Sequence, residues 1–255
     1  FAGKVPVMIN YSTGAAENSK FAQQKCNFHT IITSRALLEK LDCPEIPGMI
    51  FIEDLINNIS PFEKILAAVK SILPAFLLNR LVSQAELDDS AVILFTSGSE
   101  KAPKAVNLSH RNIIANVNSA EACFQFNHND VMLCNLPYFH VFGFMANLWL
   151  PVSQGLKLVA YANPLDFKTI VRIIREETVS LMWGTPFFLR GYLKHANQED
   201  FRTLRTVAAG ADKLPASLRE AYQQEHGIEV LEGYGVTETS PLVSVNLPGA
   251  NKHGS

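Results

Sequence analysis

The sequence predicts an α/β fold of mostly parallel, doubly wound sheets. Three observations carry that expectation. Short apolar runs rich in Val, Ile and Leu recur along the chain, stretches with helical spacing separate them, and Gly, Pro, Ser or Asp marks the junctions. Strands covered on both faces of a parallel sheet read as continuous apolar runs, as these do. With 255 residues, 47% of them hydrophobic, the chain can build one large core or two smaller ones.

Taken in order, residues 5–10 (VPVMIN) read as a strand, followed after Gly14 by a helix over 15–26. Residues 30–34 (TIITS) and 48–53 (GMIFIE) are the next strands, with a short helix over 35–41 between them. Over 60–82 the pattern changes. Phe62, Ile65, Leu66, Val69, Ile72, Leu73, Phe76 and Leu77 recur at helical spacing, an amphipathic helix that Pro74 kinks. Its apolar face is expected against the core, with a membrane surface or a partner as the alternative. Residues 91–95 (AVILF) form a strand that opens into a loop reaching Lys104 and a helix beyond it. Ser109 N-caps that helix, which runs over 110–124 with Ile113, Ile114, Val117 and Phe124 facing inward. Further strands are expected over 131–136, 156–161, 180–183, 205–209 and 228–232. Between them lie helices over 141–150, 166–177 (capped by Asp166), 185–195 (opened by Thr185 and Pro186) and 216–226, which Gly227 stops. Residues 1–84 form a first α/β portion and residues 85–255 carry the motifs described next. Residue 1 is Phe, and a strand follows almost at once, so the chain reads as a fragment.

A net charge of −2, without a basic stripe interleaved with aromatics, argues against a nucleic-acid partner. Cys26, Cys43, Cys123 and Cys134 are widely and irregularly spaced with no CxxC pair. That pattern suits reduced thiols in a cytosolic setting better than disulfides or zinc. No unbroken apolar run is long enough to span a bilayer.

Four segments carry chemistry. The first follows the 91–95 strand: Thr96, Ser97, Gly98 and Ser99, closed by Pro103 and Lys104. Hydroxyls, close main-chain approach at Gly98 and one mobile cation suit phosphate oxygens. The spacing is not that of a Walker loop, because Gly98 is not followed by a Gly-Lys-Ser/Thr at the required distance. The second segment, Glu232-Gly233-Tyr234-Gly235-Val236-Thr237-Glu238, flanks an aromatic ring with glycines. That leaves a face open for a planar base, and supplies a hydroxyl and a hard carboxylate. The third is Leu136-Pro137-Tyr138-Phe139-His140-Val141-Phe142-Gly143, and the fourth is Val207-Ala208-Ala209-Gly210-Ala211 at a strand end.

Together these motifs resemble those of the adenylate-forming superfamily, the acyl-CoA synthetases, luciferases and nonribosomal adenylation domains. The first matches the pattern Thr-Ser-Gly-Ser/Thr-Thr-Gly-x-Pro-Lys-Gly at Thr96, Ser97, Gly98, Ser99, Pro103 and Lys104, with Lys101 and Ala105 where the pattern has glycine. The second is similar to Gly-Tyr-Gly-x-Thr-Glu, the third to Pro-x-Phe-His-x-x-Gly. Within the superfamily the text most resembles the acyl-acyl carrier protein synthetase half of the bifunctional acylglycerophosphoethanolamine acyltransferases.

The resemblance implies the truncated N-terminal domain of an adenylate-forming enzyme, with the C-terminal lid domain and any acyltransferase half outside this chain. It implies ATP and Mg²⁺ as cofactors. A fatty acid would be the substrate, activated as acyl-adenylate and passed to an acyl carrier protein, or to CoA, in the service of phospholipid reacylation. Thr96, Ser97, Gly98, Ser99 and Lys104 would hold the phosphates, and Gly210, Ala211, Glu232, Gly233, Tyr234 and Gly235 the adenosine. Thr237, Glu238 and Lys104 would be catalytic, Glu238 also carrying the metal. His140, Phe142, Gly143, Trp183 and Gly184 would border the acyl channel. The intact protein is expected on the cytoplasmic side, associated with the bacterial inner membrane, and the fragment alone is expected to be inactive. The alternatives are a long-chain acyl-CoA synthetase and a noncatalytic nucleotide- or acyl-binding module.

Overall fold

The structure is a computed structural model that describes residues 3–82, 84–96 and 103–252. From the amino end, β1 (Val7–Met8), α1 (Ala15–Cys26), β2 (Ile31–Thr33), α2 (Arg35–Leu41), β3 (Met49–Phe51) and α3 (Ile52–Asn57) lead to α4 (Pro61–Ser71) and α5 (Ala75–Leu81). Next come β4 (Ser90–Phe95), β5 (Ala105–Ser109), α6 (His110–Cys123) and β6 (Val131–Cys134). A short α7 (Val141–Gly143) runs through a π-helical segment, Phe144–Trp149, into α8 (Leu150–Ser153). The chain then alternates through β7 (Lys157–Ala160), α9 (Phe167–Glu176), β8 (Leu181–Gly184), α10 (Pro186–His195), β9 (Thr206–Ala209), α11 (Ala216–His226) and β10 (Val230–Gly235), and turns back in β11 (Leu242–Val245).

Six strands form the main sheet in the order β11-β10-β9-β8-β6-β7, parallel except for the antiparallel edge strand β11. Side chains alternate between two cores, as the two-residue period of a strand requires. Met132, Cys134, Leu181, Trp183 and Ala208 face α6 and the π-helical segment, whereas Leu133, Met182, Val207 and Ala209 face α9, α10 and α11. Covered on both faces, the sheet is doubly wound as expected. A second sheet, β1-β4-β5, joins a strand near the amino end to the two strands flanking the 96–104 loop, and a parallel pair, β2-β3, lies between β1 and β4 in the sequence.

Three expectations are corrected. The loop after β4 does not lead into a helix: β5 pairs antiparallel with β4, Thr96 N–H donates to the Lys104 carbonyl at 3.0 Å, and Ser109 ends the strand and caps α6 at once. The single helix over 60–82 is two helices, because Pro74 has no N–H to continue the first. Ser60 and Glu63 start α4 with a reciprocal capping box. The core placement of its apolar stripe is also wrong. No residue of α4 or α5 is buried, and Phe62 and Ile72 are 73% and 81% exposed. The four cysteines are free thiols, in line with the sequence.

Candidate active site

The motif-bearing segments all leave the carboxyl ends of strands, where open parallel sheets place their ligand crevices. There they line one cavity of about 870 Å³. At one end are Thr96 and Lys104. The Thr96 hydroxyl accepts the Lys104 backbone N–H at 3.1 Å, which fixes the root of the β4–β5 loop. Ser97, Gly98, Ser99 and Lys101 lie outside the described residues.

Beside this end, Gly233 to Glu238 form the cavity wall. Tyr234 is 59% exposed, which leaves its aromatic side chain accessible to a planar group. The turn carrying Thr237 and Glu238 is tied down from inside. The Pro241 carbonyl accepts the Val236 N–H at 3.1 Å and the Thr239 hydroxyl. Asn116 on α6 grips the same turn. Its amide donates to the carbonyls of Thr239 (3.2 Å) and Leu242 (2.9 Å), and its side-chain oxygen accepts the Leu242 N–H at 3.2 Å. Sequence reasoning missed Asn116. Its signal was faint, one polar residue beside the apolar stripe of an amphipathic helix.

The His140 segment meets the Gly210 turn directly. A Cβ at Gly210 would lie 3.2 Å from the Phe142 ring, so Phe142 packs over that turn. Gly143 is required by close packing, since a Cβ there would come within 2.2 Å of the Pro137 carbonyl oxygen. Burial holds the His140 imidazole below its ordinary pKa, so it is neutral at pH 7. It can therefore orient a carboxylate by a hydrogen bond, not by charge.

Past His140 the cavity continues as an apolar branch between α6 and the sheet, bordered by Ala120, Phe124, Met145, Leu150 and Trp183. Phe124 and Trp183 pack with ring centroids 4.9 Å apart. The indole N–H of Trp183 is buried with no hydrogen-bond partner among the described residues. The inward face expected of α6, Ile113, Ile114, Val117 and Phe124, was the sequence signal for this wall, though it pointed only to core packing; Ile114 is corrected, since it lies on the outer side of the helix and is 47% exposed.

Two predicted site residues support the cavity without lining it. Gly184 offers its carbonyl to the Gly210 N–H at 3.1 Å, and Glu232 lies within β10, where its carbonyl accepts the Asn246 N–H at 2.9 Å. His195 and Asp200, five positions apart in the sequence, are held by different partners. Asp200 is buried against Arg175 at 2.8 Å, and His195 Nδ1 lies 2.8 Å from the Gly191 carbonyl in its own helix.

The residues present fit a nucleotide with its metal. The cavity lining brings together Lys104, the hydroxyl-bearing Thr96 and Thr237, the exposed Tyr234 and the carboxylate-bearing Glu238. Among the described residues no group of three or more His, Cys, Asp or Glu could hold a metal ion alone. One carboxylate sharing a cation with phosphate oxygens is the way Mg²⁺ is usually bound.

Fold and site define an α/β protein whose motif segments meet in one cavity at the carboxyl ends of its strands. The chain belongs to the AMP-binding enzyme family, which it matches over residues 1–255. It is 30% identical over 175 residues to a long-chain-fatty-acid–CoA ligase of Bacillus subtilis, covering 66% of this chain and 30% of that protein. It is 27% identical over 215 residues to a medium-chain-fatty-acid–CoA ligase of Ectopseudomonas oleovorans, covering 81% and 35%. The chain thus spans about a third of the length of these curated relatives. In fold it is similar to O-succinylbenzoate coenzyme A synthetase from Bacillus subtilis in complex with ATP and magnesium ion. There the TM-score is 0.78 at 19% identity, over 98% of this chain and 49% of that one. The inhibitor-bound N-terminal domain of FACL13 from Mycobacterium tuberculosis gives 0.76 at 20% identity, over 98% and 63%.

Proposed function

We propose that the protein carrying this chain is an acid–thiol ligase that activates a fatty acid with ATP. One observation carries the reading: a single cavity joins a phosphate-suited end to an apolar branch, with the His140 segment at the junction. A carboxylate oxygen attacks the α-phosphorus of ATP, and the bond to pyrophosphate breaks. The acyl-adenylate then yields its acyl group to a thiol, and AMP departs. Lys104 and Thr96 would neutralise and orient the phosphates, Tyr234 would stack on the adenine, and the Thr237 hydroxyl would reach the α-phosphate. Glu238 would hold Mg²⁺, which supplies charge neutralisation on the phosphates. Catalysis of this kind rests on positioning and charge complementarity, with no covalent enzyme intermediate. The acceptor thiol is the phosphopantetheine of an acyl carrier protein, by motif resemblance; CoA is the second reading, favoured by the relatives' names.

Calorimetric titration of this chain with a fatty acyl-adenylate analogue tests the reading, and absence of binding removes it. Pyrophosphate release by the full-length protein, with fatty acid and either thiol, identifies the acceptor. Lys104→Ala is expected to weaken ATP binding about tenfold or more, the worth of one hydrogen bond to a charged group. Ala120→Phe, which fills the apolar branch, is expected to weaken a long-chain analogue about tenfold while sparing a short-chain one.

A further inference from the structure

We infer that α4 and α5 form a docking element for the surface of an anionic lipid bilayer. Among the described residues 26 large hydrophobic side chains are exposed, and seven of them fall between Phe62 and Leu81. Monomers rarely expose a continuous apolar face without using it. On α4, Phe62, Ile65, Leu66 and Val69 make one stripe, with Lys64 and Ser71 on the opposite side and Lys70 at the margin. Apolar side chains in one arc with lysines around them is the pattern of a helix lying in the headgroup plane. At 11 and 7 residues, neither helix is long enough to cross a membrane.

Charge selects the occupant. The segment 60–82 carries three cations, Lys64, Lys70 and Arg80, against one acid, Glu63, in a chain whose net charge is −2. The Glu63 carboxylate is already engaged, accepting the Ser60 N–H at 2.8 Å. A second copy of this face would set cations against cations. Anionic headgroups pair with them, while acyl chains receive Phe62, Ile65 and Val69. This inference is independent of the ligase reading and stands or falls separately.

The test is cosedimentation of the full chain with phosphatidylcholine vesicles, with and without phosphatidylglycerol, in low and high salt. Binding is expected with the anionic vesicles, weakening as salt rises. The charge-reversed pair Lys64→Glu with Lys70→Glu is expected to lower vesicle affinity about tenfold or more. The pair Phe62→Ser with Ile65→Ser should lower it similarly, with unchanged circular dichroism in both variants. Absence of binding, or binding that neither pair alters, would overturn the inference. So would a concentration-dependent dimer without vesicle binding, dissociated by the serine pair, since that assigns the face to a second copy.

Discussion

Gly235→Ala is expected to abolish nucleotide binding and to lower stability by about 3 kcal/mol, whereas Gly233→Ala should leave both nearly unchanged. The two glycines flank Tyr234 symmetrically in the sequence, and their surroundings are not alike. A Cβ at position 235 would lie 2.3 Å from the Pro241 carbonyl oxygen, 2.8 Å from its carbon and 3.3 Å from the Leu242 nitrogen. All three are backbone atoms, so no side-chain rotation relieves the contact. The Pro241 carbonyl cannot retreat without losing the Val236 N–H and the Thr239 hydroxyl, the bonds that shape the turn carrying Thr237 and Glu238. At Gly233 the nearest atoms would be 3.6 to 3.8 Å away, ordinary van der Waals contact. The cause is a register shift between β10 and β11: Tyr234 pairs with Ser244 but Gly235 with Leu242, which tucks the strand start beneath Gly235. Thermal unfolding with ATP·Mg²⁺ titration of both variants checks this. Equal behaviour of the two would show that the turn yields, and that its rigidity does not position Thr237 and Glu238.

The same contrast explains what was legible in the sequence. The parallel strands were readable because burial on both faces makes them apolar throughout, as in Val131–Cys134 and Leu181–Gly184. The edge strands β5 and β11 were not, because AVNLS and LVSV are short and partly polar, one side of each being open. α3 was missed because Ile52 follows β3 with no breaker between them. Cavity-lining residues were legible where a motif ties residue type to a strand end, as at Lys104, His140 and Tyr234. Asn116 was not, because its role depends on a partner more than a hundred residues away. Helical periodicity in 60–82 correctly reported an amphipathic face, yet periodicity says nothing about what covers that face.

At the opposite edge of the sheet, Asp130→Ala is expected to cost about 3 kcal/mol, near the low end for breaking a buried ion pair. Asp130 is almost wholly buried and joins the amino ends of three neighbouring strands. Its carboxylate accepts from Arg205 Nη2 at 2.6 Å, the Ser180 hydroxyl at 2.7 Å and the Asn127 N–H at 2.9 Å. The Ser180 hydroxyl accepts the Val131 N–H at 3.0 Å, so loss of the carboxylate loosens β6, β8 and β9 together. Burial by itself would raise the Asp130 pKa, but the Arg205, Asn127 and Ser180 hydrogen bonds outweigh it and hold the group below its ordinary value. A depressed folded-state pKa contributes stability that is fully present above the unfolded value of about 3.9 and is lost as pH falls through the folded one. The wild-type chain should therefore lose stability more steeply than Asp130→Ala as pH drops below about 4. At neutral pH the variant should melt about 8 °C lower. Arg205 keeps nearly half its side chain in water, which is why the low end of the range applies. Because this cluster lies across the sheet from the cavity, the variant should bind an acyl-adenylate analogue normally at temperatures where it is folded. Weakened binding there would mean that strain at the amino edge reaches the site through β8 and β9.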